Sequence, residues 1–148
     1  RFASYKTDWG EFYRSGGLVL SDRYTTSNAV HQCSKLPPMH WDGFLNWLFD
    51  FEYKKIGIPA PDAVIYLAVN PEVSQELLKE RYHGDESQKD IQERDHEYIA
   101  RSRAAAEYCA KMFGWHRIEC TCSDGEKQWM RTVEEINAEI LAQIEPIL

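Results

Sequence analysis

The chain has 148 residues, 24 Asp and Glu against 17 Lys and Arg, a formal net charge of -7, and 43% hydrophobic side chains of which many are aromatic. That length fits one compact domain, residues 1–148, able to bury roughly 68–70% of its unfolded surface. The acidic balance is the wrong sign for wrapping a nucleic-acid backbone or an anionic membrane, so neither is expected as a partner, and any nucleotide handled is small and held by a few local cations.

From the N-terminus, Phe2, Tyr5, Trp9, Phe12 and Tyr13 recur at helix-like spacings, and Gly16-Gly17 supplies a stop, predicting a helix over residues 1–15. The chain opens with Arg rather than Met inside this pattern, which reads as a fragment. LVLSD, residues 18–22, predicts a strand closing on a carboxylate, and RYTTSNAVHQC a following helix. After the loop KLPPMH, residues 41–55 are rich in large apolar side chains and predict a mostly buried helix.

AVIYLAV, residues 63–69, has no polar residue at alternating positions, as in a parallel strand covered on both faces, and is too short to cross a bilayer. Asn70 and Pro71 provide an N-cap and first-turn proline for a helix running to about Arg81. HGDESQKD, residues 83–90, predicts an exposed loop between helices, and the next helix runs from Ile91 to Phe113. WHRIECT gives a third strand, and Thr132 with Glu135 a capping box for a last helix whose Val133, Ile136, Ile140 and Ile144 share one face.

Strands alternating with helices predict an α/β fold with a parallel sheet. Three strands are few for five helices, which places missing strands before Arg1. RFASYKTDWG lacks the zones of a signal peptide, so a cytoplasmic location is expected, with the four cysteines reduced. Their spacing gives no zinc pattern, and they are expected to pack as small apolar groups.

Ligands of open parallel sheets sit at the carboxyl ends of strands, which singles out Asp22 and Arg23. An aspartate there can hold magnesium directly or through water, and an arginine can fork onto phosphate oxygens. The alternative is a salt bridge closing the turn.

The context DRYTTSNAVHQ resembles the motif of the thymidylate kinases, nucleoside-monophosphate kinases of the P-loop superfamily. PDAVIYLAVNPEVSQELLKER is similar to that family's next strand and helix, KDIQERDHEYIARSR to the segment leaving its lid, and WHRIECT with the capped helix to its last strand and helix. The resemblance implies a P-loop kinase-type three-layer fold with a parallel sheet, here lacking the N-terminal strands and phosphate loop, with a lid at about residues 82–90. It implies transfer of the γ-phosphoryl group of ATP, bound with Mg2+, to dTMP in the complete protein.

By position, the resemblance gives Arg23 the 5'-phosphate and Asp22 the neighbourhood of the magnesium ion, with Ser27 and Asn28 one turn on. Arg1 matches the arginine that hydrogen-bonds the base, and Arg81 and Lys89 the lid cations, Lys89 being equally readable as a solvated charge. Relatives carry Ala-Tyr where Val30-His31 stands, so His31 either takes over the tyrosine's contact near the ribose 2'-position or only packs. Arginines of many relatives are replaced by Leu77 and Ile91. No run of GxxxxGK followed by Ser or Thr occurs, so the chain by itself is expected to be inactive. The alternative is a non-catalytic deoxynucleotide-binding or interaction module of the same fold. The resemblance also allows a homodimer through the helix at residues 41–53.

Overall fold

The computed structural model describes residues 1–81 and 96–147. The chain divides into two compact units, Arg1–Pro61 and Asp62–Leu148. The expected lid, with Lys89, and the start of the helix expected from Ile91 lie outside the described residues.

In the first unit, residues 2–14 form one continuous helix, α1, with ordinary α-helical ends and a π-helical turn, Tyr5–Trp9, between them. The Gly10 amide donates to the Tyr5 carbonyl five residues back, and a Cβ at Gly10 would collide with that oxygen and with the Tyr5 ring. The wide turn therefore depends on glycine. The helix stops where the sequence predicts. Gly16 adopts φ +91°, its amide donates to Tyr13 O at 3.0 Å, and the Gly17 amide donates to Phe12 O at 2.9 Å, the paired reversed bonds that close a helix C-terminus.

The strand expected at residues 18–22 does not form. The segment has no strand partner among the described residues, and Leu18 and Leu20 are 70% and 93% exposed. A strand exists only through ladder hydrogen bonds to a neighbour, so an apolar run alone cannot make one. The next helix is α2, Thr25–Cys33, which buries Thr25, Ala29 and Cys33 along one stripe.

A 3-10 turn, Pro38–His40, leads into α3, Trp41–Phe49, which continues as a second π-helical segment, Asp50–Ile56. The Trp41 indole donates to the carbonyls of Cys33 at 2.8 Å and Leu36 at 3.1 Å, tying the end of α2 to the start of α3. The expectation of a mostly buried helix is corrected: only one face, Trp41, Leu45, Leu48 and Glu52, is buried. Trp47 and Phe51 stack at 5.5 Å on an exposed face, because residues spaced three and four apart share a face and those between do not.

In the second unit, β1, Ile65–Ala68, runs parallel to β2, His116–Glu119, with Ile65 opposite His116 and Ala68 opposite Glu119. Between them lie α4, Pro71–Arg81, and α5, His96–Phe113. Asn70 Oδ1 accepts from the Glu72 amide at 2.8 Å, the expected cap. Coverage of both faces of β1 fails at Leu67, which is 50% exposed. The α5 helix buries a stripe of small residues, Ala105, Ala106, Cys109 and Ala110.

The strand expected over residues 115–121 divides. β2 ends at Glu119, and Thr121–Ser123, β3, pairs antiparallel with Gln128–Met130, β4. Asp124 builds the connecting turn: its Oδ1 accepts from the amides of Glu126 at 3.0 Å and Lys127 at 2.8 Å, and Gly125 adopts φ +94°. These backbone donors, Lys127 first, hold the Asp124 carboxyl below its ordinary value. The described residues thus carry four strands in two two-stranded sheets, and the parallel three-stranded sheet is not seen.

The last helix, α6, Val133–Ile144, packs on β2 and has the predicted capping box. Thr132 Oγ1 accepts from the Glu135 amide at 3.2 Å, and the Thr132 amide donates to Glu135 Oε2 at 2.9 Å. Ile136, Ile140 and Ile144 are half-buried, but Val133, in the first turn, is 77% exposed.

The architecture is mixed helix and strand with a parallel pair, compatible with the α/β class. Cys33, Cys109 and Cys120 are buried, as apolar packing requires, and Cys122 is partly exposed. Burial, with Asp42 nearby, pushes the Cys33 thiol up to about 11. Among the described residues, no helix is long and apolar enough to cross a membrane.

Candidate functional site

The junction before α2 is where the backbone departs furthest from the usual rules. Arg23 adopts φ +68°, the one non-glycine residue with positive φ among those described. The left-handed region places Cβ against the carbonyl oxygen and costs about 1 kcal/mol or more for such a residue.

The flanks hold the conformation. Ser21 Oγ donates to the Arg23 carbonyl at 2.9 Å, and the Tyr24 hydroxyl reaches across to the Pro59 carbonyl at 2.9 Å. Thr25, next in sequence, is wholly buried. The side chains of Asp22 and Arg23 are themselves exposed, and neither makes an ion pair among the described residues, so the salt bridge weighed above does not form.

Ser27, Asn28 and His31 sit on the half-buried side of α2, away from its Thr25-Ala29-Cys33 stripe. His31 lies within electrostatic reach of Arg23. Burial first, then the charges of Arg23 and Lys35, holds its imidazole below the ordinary value.

Arg1 forms an ion pair with Glu52. The same pair acts on Tyr24, whose hydroxyl is pushed up to about 12, mainly by burial and then by Tyr53, with Arg1 working against the shift. Burial likewise raises the Tyr53 hydroxyl, and Thr25 eases its ionisation, although Thr25 Oγ1 makes no hydrogen bond of ordinary geometry. Around this polar cluster stand the rings of α1: Trp9 lies 4.9 Å from Tyr5, 6.1 Å from Tyr13 and 6.3 Å from Tyr24 between centroids.

The first unit thus contains Arg1, Asp22, Arg23, Ser27, Asn28 and His31. It brings Arg23 within charge range of His31 and Arg1 within range of Tyr24. Arg81 ends α4 in the second unit. Among the described residues, no three His, Cys, Asp or Glu side chains gather as a metal cluster.

Sequence reasoning missed Glu52, Tyr53 and the supporting roles of Tyr24 and Thr25. The signal for Glu52 was available: positions 41, 45, 48 and 52 share one helical face, and a carboxylate on an otherwise apolar stripe must have a partner.

Thymidylate kinase of Mycobacterium tuberculosis, from two strains, is 33% identical to this chain over 104 residues, which is 69% of this chain and 48% of the relative. The chain spans about half the length of the curated relatives it matches. No protein-family model matches it. No solved structure does either.

Proposed function

We propose that this chain carries the acceptor side of a thymidylate kinase of the P-loop nucleoside-monophosphate kinase superfamily. The complete protein transfers the γ-phosphoryl group of ATP to dTMP, giving dTDP and ADP. The observation that carries this reading is Arg23: an exposed guanidinium without an ion pair among the described residues, on a strained backbone pinned from both sides, at the entrance to α2. The 33% identity to thymidylate kinase supports it.

In this reading, Arg23 forks onto the 5'-phosphate of dTMP with two parallel hydrogen bonds. Asn28, one turn into α2, offers both a donor and an acceptor to the thymine edge, Arg1 adds a second donor to the base, and Ser27 and His31 complete that wall. An acceptor phosphate oxygen attacks the γ-phosphorus in line, a new P–O bond forms as the bond to the β-phosphate oxygen breaks, and ADP leaves. Positioning and charge neutralisation supply the catalysis, with no covalent intermediate. Arg81 and Lys89 are the lid cations of this proposal.

Asp22 suits Mg2+. It is an exposed carboxylate without an ion pair among the described residues, and magnesium takes one or two carboxylates and completes its shell with waters and phosphate oxygens. When bound, the ion neutralises charge on the nucleotide phosphates.

The test is Arg23→Ala in the complete protein, followed by ADP release with dTMP as acceptor. Turnover is expected to fall about 100-fold or more while the melting temperature stays near that of the parent. Turnover close to the parent's would remove the assignment.

A further inference from the structure

We infer that Glu52 is a positioning residue: it fixes the Arg1 guanidinium so that the remaining N–H groups of that arginine meet a ligand's carbonyl edge. The inference rests on the role proposed above for Arg1 and goes beyond it by naming what orients that arginine.

Glu52 occupies the fourth position of the buried stripe begun by Trp41, Leu45 and Leu48, where a leucine or methionine would continue the apolar packing. Stability does not explain a carboxylate there. Taking both charges of an ion pair from water roughly cancels their attraction, and well-packed apolar replacements are often as stable or more so. The pair therefore points to a need for a fixed arginine.

The backbone of Glu52 is held as well. Its carbonyl accepts from the amides of both Gly57 at 3.1 Å and Ile58 at 3.2 Å, closing the π-helical segment behind the carboxylate. With its side chain only 10% exposed and paired with Arg1, the carboxylate is an inner anchor and not a side chain swinging from a surface helix. Tyr24 and Tyr53 lie within electrostatic reach of it, and the buried Thr25 hydroxyl, which lacks a hydrogen bond of ordinary geometry, lies beside Tyr53.

Arg1 has the opposite character. Its side chain is 30% exposed against 10% for Glu52, so the pair has an inner and an outer end. A guanidinium carries five N–H donors in a rigid fork, and one carboxylate occupies at most two of them. The others keep their direction as long as Glu52 holds the fork. A lysine could not be oriented in this way, because its ammonium is a rotating point charge.

The experiment measures binding of dTMP and, as a probe without a base, 2-deoxyribose 5-phosphate. The proteins are the complete protein and its Glu52→Gln, Arg1→Ala and doubly substituted forms. Glu52→Gln is expected to weaken dTMP binding about tenfold or more, the size of a hydrogen bond to a charged group, and to leave the sugar phosphate within about twofold. Arg1→Ala on the Glu52→Gln background is expected to add almost nothing, since both changes remove one unit.

The inference is overturned if Glu52→Gln binds dTMP like the parent, if both ligands weaken equally, or if the two substitutions multiply. Should Glu52→Gln fail to fold, Glu52→Asp, which keeps the charge one methylene short, is read in its place and is expected to show an intermediate loss confined to dTMP. If the complete parent protein binds neither ligand, the kinase reading itself has failed and this inference falls with it. Normal dTMP binding by both the parent and Glu52→Gln removes the inference alone.

Discussion

The Asp22-Arg23 junction and the stretch from Arg117 to Glu139 treat charge in opposite ways. Arg117 Nε–H is shared between both carboxylate oxygens of Glu107, 3.0 Å from Oε1 and 2.8 Å from Oε2, and its Nη2 donates to Glu119 at 3.0 Å. Glu119 also takes the Thr121 hydroxyl at 2.6 Å, and Arg131 donates to the Glu119 carbonyl at 2.6 Å and to Glu139 at 2.5 Å. Each of these partly exposed pairs is worth at most about 1 kcal/mol. Together they join β2, the hairpin and α6 through matched groups. At the junction, two charges stand without ion pairs among the described residues, on a backbone that costs stability. Strain accompanied by unanswered charge is what the binding role proposed for this junction calls for, and matched charge suits a scaffold.

The comparison is broken most forcefully from the scaffold side. Ile118, wholly buried in β2, should cost about 2–5 kcal/mol when replaced by alanine, read from urea unfolding. A loss under about 1 kcal/mol would show that this parallel pair is not a packed core. Next in size is Thr132→Ala, which removes one half of the α6 capping box and should cost about 1 kcal/mol by the same measurement.

The junction side predicts the reverse sign. Arg23→Gly relieves the positive φ and should raise stability by about 0.5–1 kcal/mol while removing the dTMP-dependent ADP release proposed for the complete protein. A destabilised glycine variant would mean that the arginine side chain is itself a structural brace.

The smallest effect is the pH dependence carried by His31. Its folded-state imidazole lies below the ordinary value near 6.5, so on acidification the unfolded chain takes up the proton first. Its contribution is therefore complete above about pH 6.5 and is lost as the pH falls toward the lower folded value. Melting temperatures between pH 7.5 and pH 5 should decline less steeply in His31→Asn than in the parent, and equal slopes would assign the decline to other groups.

Local signals in the sequence translated well where they were self-contained. Gly16-Gly17, Asn70-Pro71 and the Thr132-Glu135 box each act within a few residues, and each is found where expected. LVLSD failed because pairing is not local: nothing in five residues supplies a partner strand. The hairpin was legible but was absorbed into the preceding strand, although Asp124-Gly125 between WHRIECT and QWM is a turn signal.

For the site, the Asp22-Arg23 motif was visible because its residue types are unusual at the end of an apolar run. Glu52 was not, because its meaning comes from the face it occupies and from a partner 51 positions away. The two wide helical segments had no clear sequence signature, since a π-turn differs from an α-turn by which amide meets which carbonyl.

That difference has a rotational consequence. A π-turn accommodates one extra residue, so everything after it is turned by about 100° relative to an unbroken α-helix. Arg1 and the aromatic residues from Trp9 onward therefore belong to two angular settings of one rod, which a single helical wheel cannot represent. Tightening Tyr5–Trp9 to plain α-helix with every residue kept would swing Arg1 off Glu52 without altering either residue, whereas deleting one residue from the turn would remove the extra residue and leave Arg1 facing Glu52. The wide turn is, in this sense, a phase shifter that decides which way the first residue of the chain faces.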